Sequence, residues 1–461
     1  MTKYSVPLML RTLLCLPLSL TLLLGGGVPA KTRQVDLEKR VQQEAEKEFV
    51  PVFRFAIASD VHVMDASKPR NAERFAKLFQ TAYRYADAHE SYQSLDAVLL
   101  AGDIVNTGAD EEYDELNRVV RENLRDGTQF ITIMGNHEFR VGGHEGYVRN
   151  MQEPLDKHVV INGFHIIGMS PDPNGTKHSL KQLFWLHEQL REAKADDPEK
   201  PIFTMQHGHI WNTVYVSRSW FTHTSVQLNA IYAQYPQVID FSGHSHGPVN
   251  HPLSIWQSGC TFAGTGTLNY FEMESDIGDE TVPEGSENAA QYYIVEVDAN
   301  NRTRLLPFNI LTDDFFKTPS STDGPDTQLV YFIEKPSDRS TFAYTAARRK
   351  TNGKPWFDED ASVRVGKVSD TTAEVTFDQA KDNVCVYGYR ITVVDNAHPH
   401  KTVCKKEIYS EYYFEPMPQT LSCTLEGLQN GHNYTVKVVP LNVWKQAGDA
   451  ITAQFQTGDA R

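Results

Sequence analysis

Short runs of consecutive hydrophobic residues dominate the first half of this chain. Five of them end in a small or polar residue, at FRFAIASD (53–60), LDAVLLAGD (95–103), FITIMGN (130–136), PIFTMQH (201–207) and QVIDFSG (237–243). Apolar, β-rich runs of this length are typical of strands buried on both faces. The pattern therefore predicts a sheet whose strands lie inside a layered domain.

Helical periodicity separates these runs in three places. Residues 70–89 place Phe75, Leu78, Phe79 and Tyr83 on one helix face, and residues 111–127 form a second candidate helix that ends on Gly127. Residues 178–193 form a third, with leucines at positions 183, 186 and 190 on one face. Strands that alternate with helices predict an α/β fold with a layered sheet.

The pattern changes near residue 356, beyond which apolar and polar residues alternate without a helical run. The alternating segments are ASVRVGKV, TAEVTFD, YGYRITVV, TLSCTLEGL and YTVKVVPLNV. Such segments predict a small antiparallel β-sandwich. We therefore expect a polar helical lead-in at 31–52, an α/β domain at 53–310, a linker with edge elements at 311–355 and an all-β domain at 356–461.

The first thirty residues resemble a secretory signal peptide. Lys3 and Arg11 precede the apolar run LLCLPLSLTLLL, and Val28 and Ala30 occupy the two small-residue positions of a cleavage site. An uncleaved anchor is the alternative, but the apolar run is short for a membrane span. The sequence thus predicts a secreted or otherwise extracytoplasmic protein without a membrane span after cleavage.

Export permits disulfides, and it gives glycosylation sequons a meaning if the source is eukaryotic. Which of Cys385, Cys404 and Cys423 pair is left open by the sequence. The three sequons begin at Asn174, Asn301 and Asn433.

Charge excludes one class of function. The chain of 461 residues has 44 basic and 59 acidic residues, a net charge of −15, and no basic block. Proteins that bind the nucleic-acid backbone need a basic surface, so we expect no specific nucleic-acid partner.

Polar residues that bind metals follow each of the five hydrophobic runs. In α/β sheets, ligands bind beyond the carboxyl ends of the strands, so these groups are expected to point at one place. Carboxylate, imidazole and amide ligands together suit Mn, Fe or Zn, and the sequence does not choose among them. The groups are Asp60-Val-His62, Gly102-Asp103, Gly135-Asn136-His137-Glu138, His207-Gly-His209 and Gly243-His244-Ser-His246.

In order and composition, these five groups resemble the motifs of the calcineurin-like metallophosphoesterases over roughly residues 53 to 270. The resemblance implies a sandwich of central mixed β-sheets flanked by helices, with two divalent metal ions. By resemblance, Asp60, His62, Asp103 and His246 would hold the first ion, and Asp103, Asn136, His207 and His244 the second. A hydroxide bridging the ions would attack phosphorus, which implies hydrolysis of phosphodiester or phosphomonoester bonds.

Three further residues receive roles that stay open. His137 is the candidate general acid or charge stabiliser for the leaving oxygen. His209 is a candidate substrate contact, an alternative to His207 as ligand, or a loop residue. Asn106 and Glu138 are candidates to orient His137, or else solvated loop residues.

Several positions depart from particular subfamilies. Val63 follows His62 where Ser/Thr protein phosphatases have Gly, and purple acid phosphatases have a Tyr at the position of Asn106. These departures favour a phosphodiesterase or a broad-specificity enzyme. The expected substrate is a small phosphoester or a nucleotide-like molecule, and Trp220, Phe221, Trp256 and Tyr270 are candidates to stack against it, although each is also typical of a core.

The all-β segment resembles a fibronectin type III domain over about the last hundred residues. Such domains often serve as spacers or adhesive modules, which makes this segment a candidate site for a surface partner. The alternative function is therefore a surface-binding protein built on a metallophosphoesterase fold.

Overall fold

The computed structural model describes residues 30–45, 47–173, 176–275, 277, 281–318 and 328–458. The predicted signal peptide lies outside these ranges apart from Ala30. Among the helices in these ranges, none combines the length and apolar character needed to cross a membrane.

Thirteen strands and seven helices precede the C-terminal sandwich in the described ranges. The strands are β1 (Pro51–Ala58), β2 (Ala97–Ala101), β3 (Gln129–Ile133), β4 (Lys157–Ile161), β5 (Phe164–Gly168), β6 (Ile202–Gln206), β7 (Val238–Ser242), β8 (Ile255–Gln257), β9 (Thr261–Gly264), β10 (Gln291–Asp298), β11 (Thr303–Asn309), β12 (Asp314–Phe315) and β13 (Tyr331–Ile333). The helices are α1 (Ala30–Ala45), α2 (Arg70–Asp87), α3 (Asp110–Asn123), α4 (Gly143–Met151), α5 (Leu180–Asp196), α6 (Ser225–Tyr232) and α7 (Arg348–Thr351). Two 3-10 turns cover His137–Arg140 and Arg339–Thr341.

Two mixed sheets pack face to face and form the centre of the first domain. One sheet has the order β12-β11-β10-β1-β2-β3, with β13 also paired to β11, and the other has the order β4-β5-β6-β7-β9-β8. Phe53 and Phe55 of the first sheet pack against Phe203 and Phe241 of the second. Helices α2 and α3 cover the outer face of the first sheet, and α5 and α6 cover that of the second. The predicted α/β layered fold is confirmed.

The predicted helices owe their positions to one buried face and to local capping. In α2, the four residues Phe75, Leu78, Phe79 and Tyr83 are buried, as their spacing predicts. Helix α5 begins after Ser179, whose side chain and that of Gln182 form a capping box. Helix α3 ends at Asn123, four residues before Gly127, because the chain is already extended at Leu124.

Parallel pairing brings the candidate ligands to one edge of each sheet. Strands β1, β2 and β3 run parallel in the first sheet, and β5, β6 and β7 run parallel in the second. Their carboxyl ends therefore lie side by side, and the segments that follow β1 and β2 are joined by backbone hydrogen bonds from Asp60 and His62 to Gly102 and Asp103. The ends of both sheets supply the site described below.

The C-terminal domain is a sandwich of a three-stranded and a four-stranded sheet, of order β14-β15-β18 and β17-β16-β19-β20. Its strands are β14 (Val363–Val368), β15 (Ala373–Asp378), β16 (Val386–Asp395), β17 (Thr402–Tyr409), β18 (Thr420–Leu425), β19 (Asn433–Asn442) and β20 (Ile451–Gln456). The alternating burial in β15 and β19 matches the alternating sequence pattern. The four cysteines in the described ranges are free thiols.

Candidate metal centre

The seven predicted metal ligands meet in one place, where the carboxyl ends of the two sheets face each other. Three overlapping groups of side chains have ligand atoms within 4.8 Å of one another. The groups are Asp60–His62–His246, His62–Asp103–His137 and Asp103–His207–His244. Asn136 joins the third group, because its Oδ1 lies 3.1 Å from Nε2 of His207. His137, predicted as an acid, also lies within ligand distance.

The backbone is strained at five of these ligand residues. The φ angles are 50° at Asp60, His62 and Asp103, 71° at His244 and 52° at His246. Residues other than glycine rarely occupy this left-handed region, and such strain, of about 1–3 kcal/mol per residue, tends to cluster at functional sites. The fold holds these side chains in directions that ordinary strand or helix geometry would not give them.

Close approach explains two of the glycines that precede the ligands. A Cβ at residue 135 would overlap the carboxylate and backbone of Asp103. A Cβ at residue 243 would overlap the side chains of Ser59 and Asp60. Gly135 and Gly243 therefore allow ligand-bearing turns to pass within contact distance of each other.

Hydrogen bonds fix the histidine rings so that their free nitrogens face carboxylates. Nδ1 of His207 lies 2.9 Å from the carbonyl of Ala101, and Nδ1 of His246 lies 2.8 Å from the carbonyl of Tyr270. If each Nδ1–H donates to its carbonyl, the neutral ring presents a lone pair on Nε2. Those Nε2 atoms lie 3.2 Å from Oδ2 of Asp103 and from Oδ1 of Asp60, respectively.

Lone pairs that face each other require a cation between them. Oδ1 of Asp60 is buried and has no hydrogen-bond donor, and Nε2 of His62 lies 3.2 Å from Nε2 of His246. Either protons or metal ions can occupy such a position, and backbone acceptors on the distal Nδ1 are the usual outer contacts of metal-bound histidines. The donor set therefore fits a divalent metal centre.

The electrostatics of the centre favour bound positive charge. Burial opposes charging of His207, but the carboxylates of Asp103 and Asp60 outweigh burial and raise the pKa of His207 to about 10. Burial alone would raise the pKa of Asp103, yet the adjacent His207 holds it well below its usual range. Burial lowers the pKa of His244 to about 4, so this ring is a neutral potential ligand at pH 7.

His137 lies at the mouth of the centre, next to a guanidinium. Its backbone N–H donates to Oδ1 of Asp103 at 2.8 Å, and its Nδ1 lies 2.8 Å from the carbonyl of Asn106. Nη2 of the exposed Arg140 lies 2.7 Å from Nε2 of His137. Arg140 was not predicted from the sequence, although its position three residues after His137 in the same motif is a signal.

Glu138 does not contact the ring of His137. Its buried carboxylate accepts the N–H of Val105 at 3.0 Å and that of Gly135 at 2.6 Å. It thereby joins the turn after β2 to the turn after β3. Burial, reinforced by the charge of Asp103, raises the pKa of Glu138 to about 8.

His209 is buried, and serine hydroxyls lie beside both of its ring nitrogens. Ser242 lies 2.7 Å from Nδ1, and Ser245 lies 2.6 Å from Nε2. These contacts join His209 to the end of β7 and to the turn that follows it, and substrate contact by His209 stays a prediction. Of the candidate aromatic residues, Trp220 contacts His244 and Tyr270 contacts His246, with ring centroids 4.9 and 4.3 Å apart.

Comparison with known proteins agrees with these observations. Residues 53–248 match the family model of the calcineurin-like phosphoesterases, and residues 356–452 match that of the ILCR1 Ig-like domain. No curated protein matches the chain.

Two solved structures illustrate the similarity. A purple acid phosphatase, PPD1, from yellow lupin (Lupinus luteus) seeds is 15% identical with a TM-score of 0.42, over 64% of this chain and 56% of that chain. The chain thus spans about half of the length of that phosphatase. The third fibronectin III domain of the human KIAA0343 protein is 25% identical with a TM-score of 0.18, over 23% of this chain and 86% of that chain.

The same part of the chain contains the family match, the layered fold and the ligand cluster. The C-terminal Ig-like match is consistent with the fibronectin type III-like sandwich. Residues 53–248 therefore form a domain that matches the calcineurin-like phosphoesterase family.

Proposed function

We propose that the chain is an extracytoplasmic phosphoester hydrolase that depends on two divalent metal ions. The proposal rests on one observation. The two buried carboxylates and the four imidazoles of the predicted ligands converge, and the carboxylate oxygens face the ring nitrogens. Asp60, His62, Asp103 and His246 would hold one ion, and Asp103, Asn136, His207 and His244 the other. Bound dications supply Lewis acidity that polarises a phosphoryl oxygen and makes water more acidic.

Asp103 is suited to the shared position between the two ligand sets. Its Oδ2 lies 3.2 Å from Nε2 of His207 and 3.9 Å from Nε2 of His62. Its Oδ1 accepts the N–H of His137, which holds the carboxylate in one orientation. A carboxylate fixed in this way would be held ready to serve as a ligand in both sets.

His137 and Arg140 face the side from which a substrate would enter. With Nδ1–H donated to the carbonyl of Asn106, Nε2 of His137 is the ring nitrogen that can carry a proton to the leaving oxygen. Nη2 of Arg140 now contacts that nitrogen, so Arg140 must move away from Nε2 for His137 to act. Its guanidinium is then available to bind an anionic phosphoryl oxygen.

The extracytoplasmic location rests on the first thirty residues of the sequence. The basic residues, the apolar run and the small-residue site follow the pattern of a cleaved signal peptide. N-terminal sequencing of the exported protein is expected to begin at Lys31. An exported protein that retains residues 1–30 would instead support an uncleaved anchor.

Hydrolysis of bis-p-nitrophenyl phosphate and p-nitrophenyl phosphate tests the reaction and its substrate class. The metal-stripped protein is reloaded with Mn, Fe, Zn or Mg in turn, and both esters are assayed side by side. We expect metal-dependent turnover, and the ratio of the two rates distinguishes a diesterase from a monoesterase. Stoichiometric metal without turnover of either ester would favour the surface-binding alternative.

A further inference from the structure

A buried cluster of aromatic and aliphatic side chains joins the C-terminal sandwich to the phosphoesterase domain. We call it the tyrosine cluster. Its side chains are almost fully excluded from solvent, which is typical of a permanent domain interface rather than a loose tether. The members from the first domain are Tyr215, Val216, Phe271, Met273, Ile277 and Ala289, and those from the sandwich are Cys385, Tyr387, Tyr409, Tyr412, Tyr413 and Val443.

Hydrogen bonds inside the tyrosine cluster link the sandwich to two segments of the first domain. The hydroxyls of Tyr387 and Tyr215 lie 2.8 Å apart. The Tyr215 hydroxyl also accepts the N–H of Glu274 at 3.0 Å, and the Tyr409 hydroxyl donates to the carbonyl of Glu274. The sandwich therefore holds both residue 215 and residue 274 in place.

The segment that ends at Glu274 contacts a predicted metal ligand. The carbonyl of Tyr270 faces Nδ1 of His246 at 2.8 Å, and the N–H of Glu272 donates to the carbonyl of His246 at 3.2 Å. The intervening Phe271 and Met273 are buried in the tyrosine cluster. Residues 270–274 are thus fixed between His246 on one side and the sandwich on the other.

The segment around Tyr215 contacts the other histidine of the same turn. Val216, a β-branched residue, is buried with a φ of 63°, a conformation that persists only where packing enforces it. Its carbonyl accepts the N–H of Trp220 at 3.1 Å, and the Trp220 ring meets His244 edge-on. A Cβ on Gly247 would lie 3.3 Å from Val216 and 3.4 Å from Tyr215, so this segment lies against the Gly243–Gly247 turn.

We propose that Tyr387 of the sandwich is a positioning residue of the metal centre, which acts through Tyr215 and the segments 215–220 and 270–274 on His244 and His246. The inference rests on the proposed function, because it assigns these histidines to metal binding. It makes the C-terminal domain a part of the catalytic unit, in addition to any surface partner it binds.

A pair of conservative substitutions in the full-length chain tests the proposal. Tyr387→Phe removes the hydroxyl that meets Tyr215, and Tyr389→Phe is the matched control on the same strand. Tyr389 is equally buried, but among the residues that the structure describes its hydroxyl bonds only to Ala380 and Gln379, both within the sandwich. Co²⁺ binding, followed by visible absorption, reports the metal centre independently of turnover.

We expect Tyr387→Phe to weaken Co²⁺ binding and to lower turnover of the nitrophenyl esters, each by about 3- to 10-fold. This is less than the roughly 10- to 100-fold loss typical of a direct outer contact of a metal ligand, because Tyr387 acts through Tyr215. Tyr389→Phe should leave both within about 2-fold of the wild type. Tyr215→Phe should lose at least as much as Tyr387→Phe, because it removes the shared hydrogen bond and also the acceptor of the Glu274 N–H. The double variant should lose no more than Tyr215→Phe alone.

Equal effects of Tyr387→Phe and Tyr389→Phe on Co²⁺ binding, or no effect of either, would overturn the proposal. A wild-type chain that binds Co²⁺ but hydrolyses neither ester would refute the proposed function, while the Co²⁺ comparison still decides the role of Tyr387. A wild-type chain that binds no Co²⁺ would overturn both.

Discussion

A buried carboxylate in the second sheet makes the stability of the protein depend on pH. Asp240 lies in β7 and is fully buried. Its Oδ1 accepts hydrogen bonds from Thr204 at 2.7 Å and Tyr232 at 3.0 Å, and its Oδ2 accepts one from Gln206 at 3.1 Å. Burial raises its pKa from the ordinary 3.8 to about 7, although these three hydrogen bonds oppose the rise.

The size and sign of the effect follow from this pKa. Between pH 3.8 and about 7, the folded chain keeps the Asp240 proton that the unfolded chain has released. The stability contributed by Asp240 therefore falls as the pH rises through this range, by about 4 kcal/mol in total at 1.36 kcal/mol per pH unit. Above pH 7 both states are ionised and the contribution no longer changes.

Asp240→Asn removes the titration and keeps the shape of the side chain. The unpaired Oε1 of Gln206 can accept from the new amide after a flip of the Gln206 side chain. We therefore expect the variant to gain stability relative to the wild type by about 3–4 kcal/mol between pH 4 and pH 7.5. The measured quantity is the difference in the free energy of unfolding between the variant and the wild type, so pH effects common to both proteins cancel.

Urea unfolding at several pH values measures this difference. Asp126→Asn, which removes the same charge from an exposed turn, is the control and should show no comparable trend. A constant difference between Asp240→Asn and the wild type across this pH range would refute the reasoning, because it would mean that Asp240 ionises in the folded chain as it does in the unfolded one.

Three further predictions concern the metal centre. Asp103→Asn should lower metal-dependent turnover by at least about 100-fold, because Asp103 is the proposed ligand of both ions, while circular dichroism shows an unchanged fold. Arg140→Gln should reduce kcat/KM for the monoester about 10-fold more than for the diester, since a guanidinium binds the dianion more strongly; equal losses would contradict that role. Gly135→Ala should weaken Co²⁺ binding more than Gly127→Ala in a Co²⁺ titration of the two variants. A Cβ at residue 135 would overlap Asp103, whereas a Cβ at residue 127 meets nothing within 4 Å.

The candidate ligands could be found from the sequence because their signal is local. Each follows a short apolar run, and parallel strands bring successive run ends to one edge. The amphipathic face of α2 could be predicted for the same reason, since the four large residues that mark it, all of them buried, lie within nine positions of one another. The structure brings the seven ligands together, and their assignment to two ions remains a prediction.

Other features of the fold depend on long-range pairing, which has no local signal. Strand β10 pairs antiparallel with β1 from more than two hundred residues away, and it extends the first sheet beyond the parallel core. Helix α6 is short, with only Ser225, Leu228 and Tyr232 buried, which is too few positions for periodicity to reveal. Tertiary packing determines both elements.

The tyrosine cluster was also missed, because its members come from distant segments and share no spacing. Tyr215 lies in a loop, and Tyr387 lies at the start of a sandwich strand where the register shifts next to Val386. The roles of His209 and Glu138 were left open for a similar reason. Ser242, Ser245, Val105 and Gly135 contact them only after the sheets have assembled.

Titration of metal-stripped protein with Mn²⁺ or Zn²⁺, with turnover measured at each addition, decides whether this centre is a metal-dependent hydrolase. We expect no turnover in the stripped protein and a rise that saturates at two metal equivalents per chain. Asp103→Asn serves as the control that should stay inactive throughout. Full turnover in the stripped protein, or a saturated metal content with no turnover of any phosphoester, would contradict a metal-dependent hydrolase at this centre.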